Sequence, residues 1–509
     1  MTMPIGVTNN GVFSGRVILD KPGRYILLED IMATVFVACD NVELDMDSYS
    51  VLPPNGQRGV VLFQSWEDRS VKINNARQPR NFKIYGGSIV TVDAECIYGS
   101  DALGCQIDDM DLRTTNGKDL AAVYFKSGDY SLCDSYVNCK LTEIINRHQG
   151  PSAIKSDKSA AQITRCFIEG GNSAINTGDG SVVQDCLLMH DGKATNGYGL
   201  FTWAHENNST PRGRLNSGSV AGKERGIVFT GNTVLPRDGR GVILNGWNNA
   251  FIADNTILSW EKPNNEFGDN LNAPAIRIRY QADNITVRNN TTLGVAGGDW
   301  CATSSIYMTT AEKSKSLISD NLFMTCLVGT PSLRKYAQPL AFEGSYGDDR
   351  LKNNICLSNH HFMHLEGYDG PSIVPSPIEQ CKFVASDGLT MFNRFSGSIR
   401  LKISRRFRQL ATNTVDDFMR ELSGKVIREQ VSDDLAFVRT DFFSHDKMTS
   451  ATLLDCTWDG VDKFSATLKY SVPRSGGMEV SFTWPRFTEY RVEKLRQEIP
   501  VGSKTQRII

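Results

Sequence analysis

A short phrase recurs through the middle of the chain, and its recurrence restricts the fold more than any other feature. A β run is followed by asparagine or aspartate, then a small or β-branched residue, then more apolar residues. It reads Thr230-Gly231-Asn232-Thr233-Val234-Leu235, and again Ala253-Asp254-Asn255-Thr256-Ile257-Leu258. It returns at Arg288-Asn289-Asn290-Thr291-Thr292-Leu293, at Ser319-Asp320-Asn321-Leu322-Phe323-Met324 and at Lys352-Asn353-Asn354-Ile355-Cys356-Leu357. Weaker copies put Asp134, Arg165, Asp185 and Gln380 at the same point. From 232 to 255 is 23 residues and from 165 to 185 is 20, whereas 290 to 321 is 31 and 321 to 354 is 33. A fixed phrase at such a period marks a solenoid, with a basic coil of about 20 to 25 residues and insertions of variable length. Asparagine suits a repeated corner because it tolerates left-handed backbone and can hydrogen-bond to its copy one coil away. Between corners the pattern alternates, as in Ala275-Ile276-Arg277-Ile278-Arg279, so that Ile276 and Ile278 face one side and the arginines the other.

A length of 509 residues would suggest several ordinary domains, but a solenoid buries surface only against its neighbours and extends freely. The formal charge of -2 argues against nucleic acid as the main partner, since phosphate binding wants a basic domain. No run of about 18 apolar residues offers a membrane span. Residues 1–10 lack a basic start followed by an apolar run, so no export signal is read there. The twelve cysteines form no CxxC pair and no zinc spacing. Cys166, Cys186 and Cys381 fall at similar places in the repeat, as reduced residues of a stacked core would. The expected assembly compartment is therefore a reducing cytoplasm.

With its opening Pro22-Gly23-Arg24-Tyr25-Ile26-Leu27, its Asp40-Asn41-Val42-Glu43-Leu44-Asp45 and the later Gly-Asn-Thr and Asp-Asn-Thr phrases, the sequence resembles the pectate-lyase-like superfamily of right-handed parallel β-helix proteins. Within that superfamily it is most similar to the β-helix proteins of phage tailspikes and tail fibres. The resemblance covers about residues 20 to 395 and implies an all-β fold: a single-stranded right-handed parallel β-helix. Residues 1–40 are expected to form an N-terminal cap and first coil, and residues 41–395 the helix. The remainder, 396–509, is expected to be a small C-terminal α+β or β domain that caps the open end and oligomerises the chain. In that remainder Arg400–Arg408 is basic. Thr414 and Asp417 open a helical pattern through Val415, Phe418, Met419 and Leu422 that stops near Gly424. The stretches 464–470 and 478–484 alternate like strands.

Long insertions follow the asparagine-corner strand at one phase, from Asp191 to about Arg225, Ser259 to Pro274, Gly294 to Ser304 and Thr325 to Pro339. Loops stacked on one corner build a wall beside a flat sheet, and the resulting groove suits an extended polymer such as a glycan. Phe201, Trp203, Trp247, Trp260, Trp300 and Tyr307 fall in or beside these loops, where aromatic faces can stack on sugar rings. Period two predicts outward Lys155, Asp157, Arg277, Arg279, Tyr307 and Glu343. The loops add His205, Glu206, Glu261, Glu266 and Asp269. A hydrolase would draw two carboxylates from Glu206, Glu261, Glu266, Asp269 and Glu343. A lyase or epimerase acting on uronic acids would use Arg277, Arg279, Tyr307, Lys155 and His205 to neutralise the sugar carboxylate and remove the neighbouring proton. The candidate catalytic residues are thus Glu206, Glu261, Asp269, Glu343 and His205; the candidate substrate-binding residues are Lys155, Trp203, Trp260, Arg277, Arg279 and Tyr307. No metal-ligand set and no cofactor motif is present.

Three readings follow. The first is a virion-associated, tailspike-like homotrimer that binds, and in one form cleaves, a cell-surface glycan while contacting other tail proteins. The second is a free polysaccharide lyase, hydrolase or epimerase. The third is a structural β-helix in a larger assembly, without catalysis.

Overall fold

A computed structural model of the chain describes residues 2–6, 12–14, 17–62, 79–100, 104–115, 120–126, 136–140, 142–146, 152–157, 160–170, 173–178 and 180–190. It continues with 198–203, 226–236, 240–245, 249–261, 274–296, 302–310, 315–327, 336–343, 350–358, 363–366, 378–379 and 381–385, and with strands at 450–459, 463–472, 476–485 and 505–506.

Among these residues the strands up to 385 fall into three sheets, and every third strand in sequence is the hydrogen-bonded neighbour; the sheets have 14, 15 and 13 members, the fifteenth strand of the second being Thr505–Gln506, added antiparallel to Lys382–Ala385. Each turn of chain thus contributes one strand to each sheet before the next turn stacks on it. The pairings up to residue 385 are all parallel, beginning with Thr2–Ile5 on Gly23–Leu27. This is a parallel β-helix, with the right-handed winding that strand-crossover-strand connections adopt.

The alternation in the sequence explains the interior. On the 14-stranded sheet Leu44, Ile84 and Ile107 lie in register, as do Ile163, Val183, Phe229, Ile252, Val287, Ile318 and Leu351. All ten are fully buried. The 13-stranded sheet supplies Val60, Ile97, Val123, Ile154, Ile175, Leu200, Val242, Ile276 and Ile306 in the same manner. Identical or similar side chains stack on themselves, so one coil's pattern serves for all.

The corner between the 14- and 15-stranded sheets carries the asparagine ladder, and it is buried. The Oδ1 of Asn255 accepts from the backbone N–H of Asn232 at 2.8 Å and from its amide at 3.1 Å. Asn290 does the same for Asn255, Asn321 for Asn290 and Asn354 for Asn321. Each Nδ2 also donates to a carbonyl of the preceding coil, as Asn290 does to Ile252. The weaker copies of the phrase need a one-residue correction. Arg165 and Asp185 align with Gly231, Asp254, Asn289, Asp320 and Asn353, all with φ between 53° and 68°. The ladder position itself is taken in those coils by Cys166 and Cys186: the Cys186 N–H donates to Asn232 Oδ1 at 2.9 Å and the Cys166 N–H to Cys186 Sγ at 3.5 Å. Cys381 ends the run, accepting from Asn354 at 3.6 Å. The two jobs assigned to one asparagine are therefore split. The left-handed residue turns the chain, and the next residue makes the ladder. Asp134 and Gln380 lie outside the described residues.

The described cysteines are free thiols. Burial pushes the Cys96 thiol up to about 12 and the Cys186 thiol well above its ordinary value. Cys186 acts as a weak donor, to the Gln184 carbonyl at 3.2 Å.

At this corner burial drives the Asp185 carboxyl up to about 6, against the opposing pull of Arg165. A carboxyl raised in the folded state adds nothing unfavourable below pH 4, and the fold loses stability as pH rises through 6. The full linkage is about 3 kcal/mol, which solvent at this half-exposed corner reduces to about 1 kcal/mol. Asparagine already occupies the equivalent left-handed sites at 289 and 353. Asp185→Asn is therefore expected to raise the urea midpoint at pH 7.5 and to leave it unchanged at pH 4; equal effects at both would show that charge is not the cause.

The insertions also need redrawing. The stretch from 191 to 225 contains a strand, Tyr198–Trp203, of the 13-stranded sheet. Residues 191–197 thus connect the 15-stranded to the 13-stranded sheet, as do 262–275, 297–301 and 328–335, whereas 204–225 connect the 13-stranded to the 14-stranded sheet. The connections leave from both borders of the 13-stranded sheet, not from one corner.

Beyond 385, strands 450–459, 463–472 and 476–485 form an antiparallel sheet, which agrees with the alternation at 464–470 and 478–484. The basic stretch 400–408 and the helix expected over 414–424 lie outside the described residues. No helix among the described residues is long and apolar enough to cross a membrane.

Candidate functional site on the 13-stranded sheet

Register brings the separated candidates together. On the 13-stranded sheet one column of residues runs Tyr98, Tyr124, Lys155, Asn176, Phe201, Ile243, Arg277, Tyr307, Ala341 and His364, each paired with the next across one coil. A second column lies two residues further along each strand. It holds Ser100, Lys126 and Asp157, then Trp203, Asn245 and Arg279, then Glu343 and Glu366. Parallel strands are about 4.8 Å apart, so Arg277 is one step from Tyr307 and about 19 Å from Lys155.

Within the first column the cations sit on tyrosine rings. The Arg277 guanidinium is 5.3 Å from the centre of the Tyr307 ring, and Lys155 Nζ is 4.8 Å from that of Tyr124. Tyr124 meets Tyr98 edge to face, with centroids 5.7 Å apart and planes at 76°. Arg58 closes this end, 3.9 Å over Tyr98, with its Nε donating to Glu95 at 2.8 Å. Such contacts hold long basic side chains flat against the sheet. On the 14-stranded sheet Arg24 pairs with Asp45 and Lys83 with Glu43 across coils.

Exposure along the column is uneven. Tyr98, Tyr124, Lys155, Asn176 and Arg277 are half-buried. Ile243 keeps 2% of its surface and Tyr307 keeps 9%. The column is thus open over Tyr98 to Asn176 and covered at Ile243, which divides it into two stretches.

Of the residues singled out from sequence, Lys155, Trp203, Arg277, Arg279, Tyr307 and Glu343 all fall on this sheet in matching phase. Trp260 and Glu261 do not. They end the strand Thr256–Glu261 of the 15-stranded sheet, in register with Val295 and Ala296. His205, Glu206, Glu266 and Asp269 lie outside the described residues. Sequence reasoning passed over Tyr98, Tyr124 and Asn176, and also His364 and Glu366. Period two within each strand marks them, but only once the coils before residue 165 are aligned, and those coils lack the asparagine phrase. Among the described residues no group of three or more histidine, cysteine, aspartate or glutamate side chains is placed to hold a metal ion.

No family model matches the chain, and no curated protein matches it. Among solved structures it is similar to the tailspike protein of E. coli bacteriophage HK620, a double mutant in complex with a pentasaccharide. The two are 9% identical with a TM-score of 0.34, over 97% of this chain and 85% of that one. The parallel β-helix stands on this chain's own sheets and register.

Proposed function

We propose that the chain is a tailspike- or tail-fibre-like virion protein that binds a host cell-surface polysaccharide along the outer face of the 13-stranded sheet. The observation that carries the reading is the register. Trp203, Arg277, Arg279, Tyr307 and Glu343 are spread over 140 residues of sequence, yet they occupy two adjacent columns on neighbouring coils. Aromatic rings, guanidinium groups and a carboxylate in a row along a rigid sheet are the groups that stack on sugars, hold their anionic substituents and transfer protons. A flat path one coil after another matches a linear polymer better than a compact ligand. Cleavage, where it accompanies binding, is assigned to Glu343 together with Glu206, Glu261 and Asp269, and to His205. Lys155, Trp203, Trp260, Arg277, Arg279 and Tyr307 are assigned to binding. The C-terminal domain is assigned to capping and homotrimer formation, and attachment to other tail proteins accompanies it.

The test is a panel of bacterial capsular polysaccharides and lipopolysaccharides, assayed for binding to the purified full chain and for release of oligosaccharides. The reading expects at least one polysaccharide to bind and Arg277→Ala to weaken it. Absence of binding across the panel would leave the structural role in a larger assembly as the better account.

A further inference from the structure

The interior of the helix turns polar at the border of the 15- and 13-stranded sheets. There Ser259, Gly294, Thr325 and Ser358 lie in register on successive coils, and all four are buried. Thr292 stands two residues before Gly294 in the same inward phase, between Ile257 and Phe323 of the core. The adjoining sheet adds Ser304, in phase with the core residues Ile306 and Met308. Three oxygens converge beside Gly294. A Cβ there would lie 2.5 Å from Thr303 Oγ1 and 3.3 Å from both Ser259 Oγ and the Ser304 carbonyl oxygen.

Other buried hydroxyls of these coils find acceptors within the protein. Thr91 and Thr114 both donate to the Ala94 carbonyl at 2.7 Å, Ser305 to the Met324 carbonyl at 3.1 Å and Thr325 to Ser358 at 3.3 Å. The hydroxyls of Ser259, Thr292 and Ser304 have no hydrogen-bond partner among the described residues, and all three residues are fully buried. A hydroxyl that loses bulk water and gains nothing in exchange is costly to bury. Three of them in one patch of an otherwise apolar interior point to an occupant that meets them.

We propose that Ser259, Thr292 and Ser304 hold ordered water inside the helix, between the two sheets beside Gly294. Water donates and accepts at once, so it can bridge hydroxyls on different strands that do not meet directly. Hydroxyl and carbonyl oxygens with no charged side chain among them suit a neutral occupant better than an ion. The bridge ties the 15-stranded sheet to the strand Ala302–Thr310, which also carries Tyr307. It stands independently of the glycan-binding reading.

The test joins a high-resolution crystal structure of the full chain to the urea midpoints of Thr292→Val, Ser259→Ala and Ser304→Ala. The structure is expected to show water within about 3.2 Å of the Ser259 and Ser304 hydroxyls, with a further contact at Thr292. Each variant strips the water of a partner, so each midpoint is expected to fall. The sign decides the matter. In a dry interior the same hydroxyls are unpaired, and Thr292→Val, which drops the hydroxyl and keeps the branched shape, would raise the midpoint. A water spanning Ser259 and Ser304 also couples them, so the double variant is expected to lose less than the two single variants together. A raised midpoint, additive losses, or hydroxyls bonded directly to protein atoms with no density between them would overturn the proposal. A density peak with contacts of about 2.4 Å, the spacing of a metal cation, would overturn it as well.

Discussion

Replacing Asn290 by alanine is expected to destabilise the helix by about 3 to 5 kcal/mol, read as a fall in the urea midpoint and in melting temperature. Asn290 is buried in the centre of the ladder. Its Oδ1 is the acceptor for both the backbone N–H and the side-chain amide of Asn255, at 3.0 and 2.9 Å. Its own amide donates to the carbonyls of Ile252 and Arg288 and to Asn321 Oδ1. Alanine leaves the Asn255 N–H buried with no acceptor, removes three donations and opens a void. Asn290→Cys should lose about half as much, because cysteine fills the same place at 166, 186 and 381 and its sulfur accepts from the coil before it. If the alanine variant loses less than about 1 kcal/mol, the ladder is ornamental and the coils are held by their apolar stacks alone.

The other large effect concerns chemistry. Once a cleaved polysaccharide is in hand, Glu343→Gln is expected to slow its cleavage at least about 100-fold, the usual contribution of a positioned acid or base. Melting should be unchanged. Glu343 is preferred over Glu206, Glu261 and Asp269 because it shares the 13-stranded sheet and the phase of Arg277 and Tyr307. Glu261 closes a strand of the adjoining sheet. Full activity in all four carboxamide variants, Glu206→Gln, Glu261→Gln, Asp269→Asn and Glu343→Gln, would eliminate hydrolysis by this carboxylate set and direct attention to Arg277, Arg279, Tyr307 and Lys155 as an eliminating set.

The coils from 232 to 354 were legible because their corner is built from a side chain with a chemical signature. An amide that both donates and accepts can stack indefinitely on itself, so selection for the ladder leaves asparagine at every turn. Earlier coils fill that corner differently. Gly87, Thr142 and Cys166 pass the same backbone bond to the next coil without an amide, as in Phe167 N–H to the Thr142 carbonyl at 3.1 Å. Nothing in glycine, threonine or cysteine announces that role, so the rungs of Tyr98 and Tyr124 were out of alignment with those of Arg277. The sequence of the strand Tyr198–Trp203 likewise suggests a loop. It begins Tyr-Gly-Leu, and Gly199 stands where an added Cβ would come within 2.4 Å of Val234, so the break in apolar alternation reflects close packing and not a turn. The shared phase of Lys155, Arg277, Arg279, Tyr307 and Glu343 follows from period two alone, which parallel pairing preserves from coil to coil.

The most direct test is an experimental structure of the full chain with the tightest-binding oligosaccharide from the panel. Sugar rings within about 4 Å of Arg277 and Tyr307, running from coil to coil across the 13-stranded sheet, are the expected result. An oligosaccharide seated on the 14- or 15-stranded sheet, or on the C-terminal strands with the Arg277 column bare, would contradict the account.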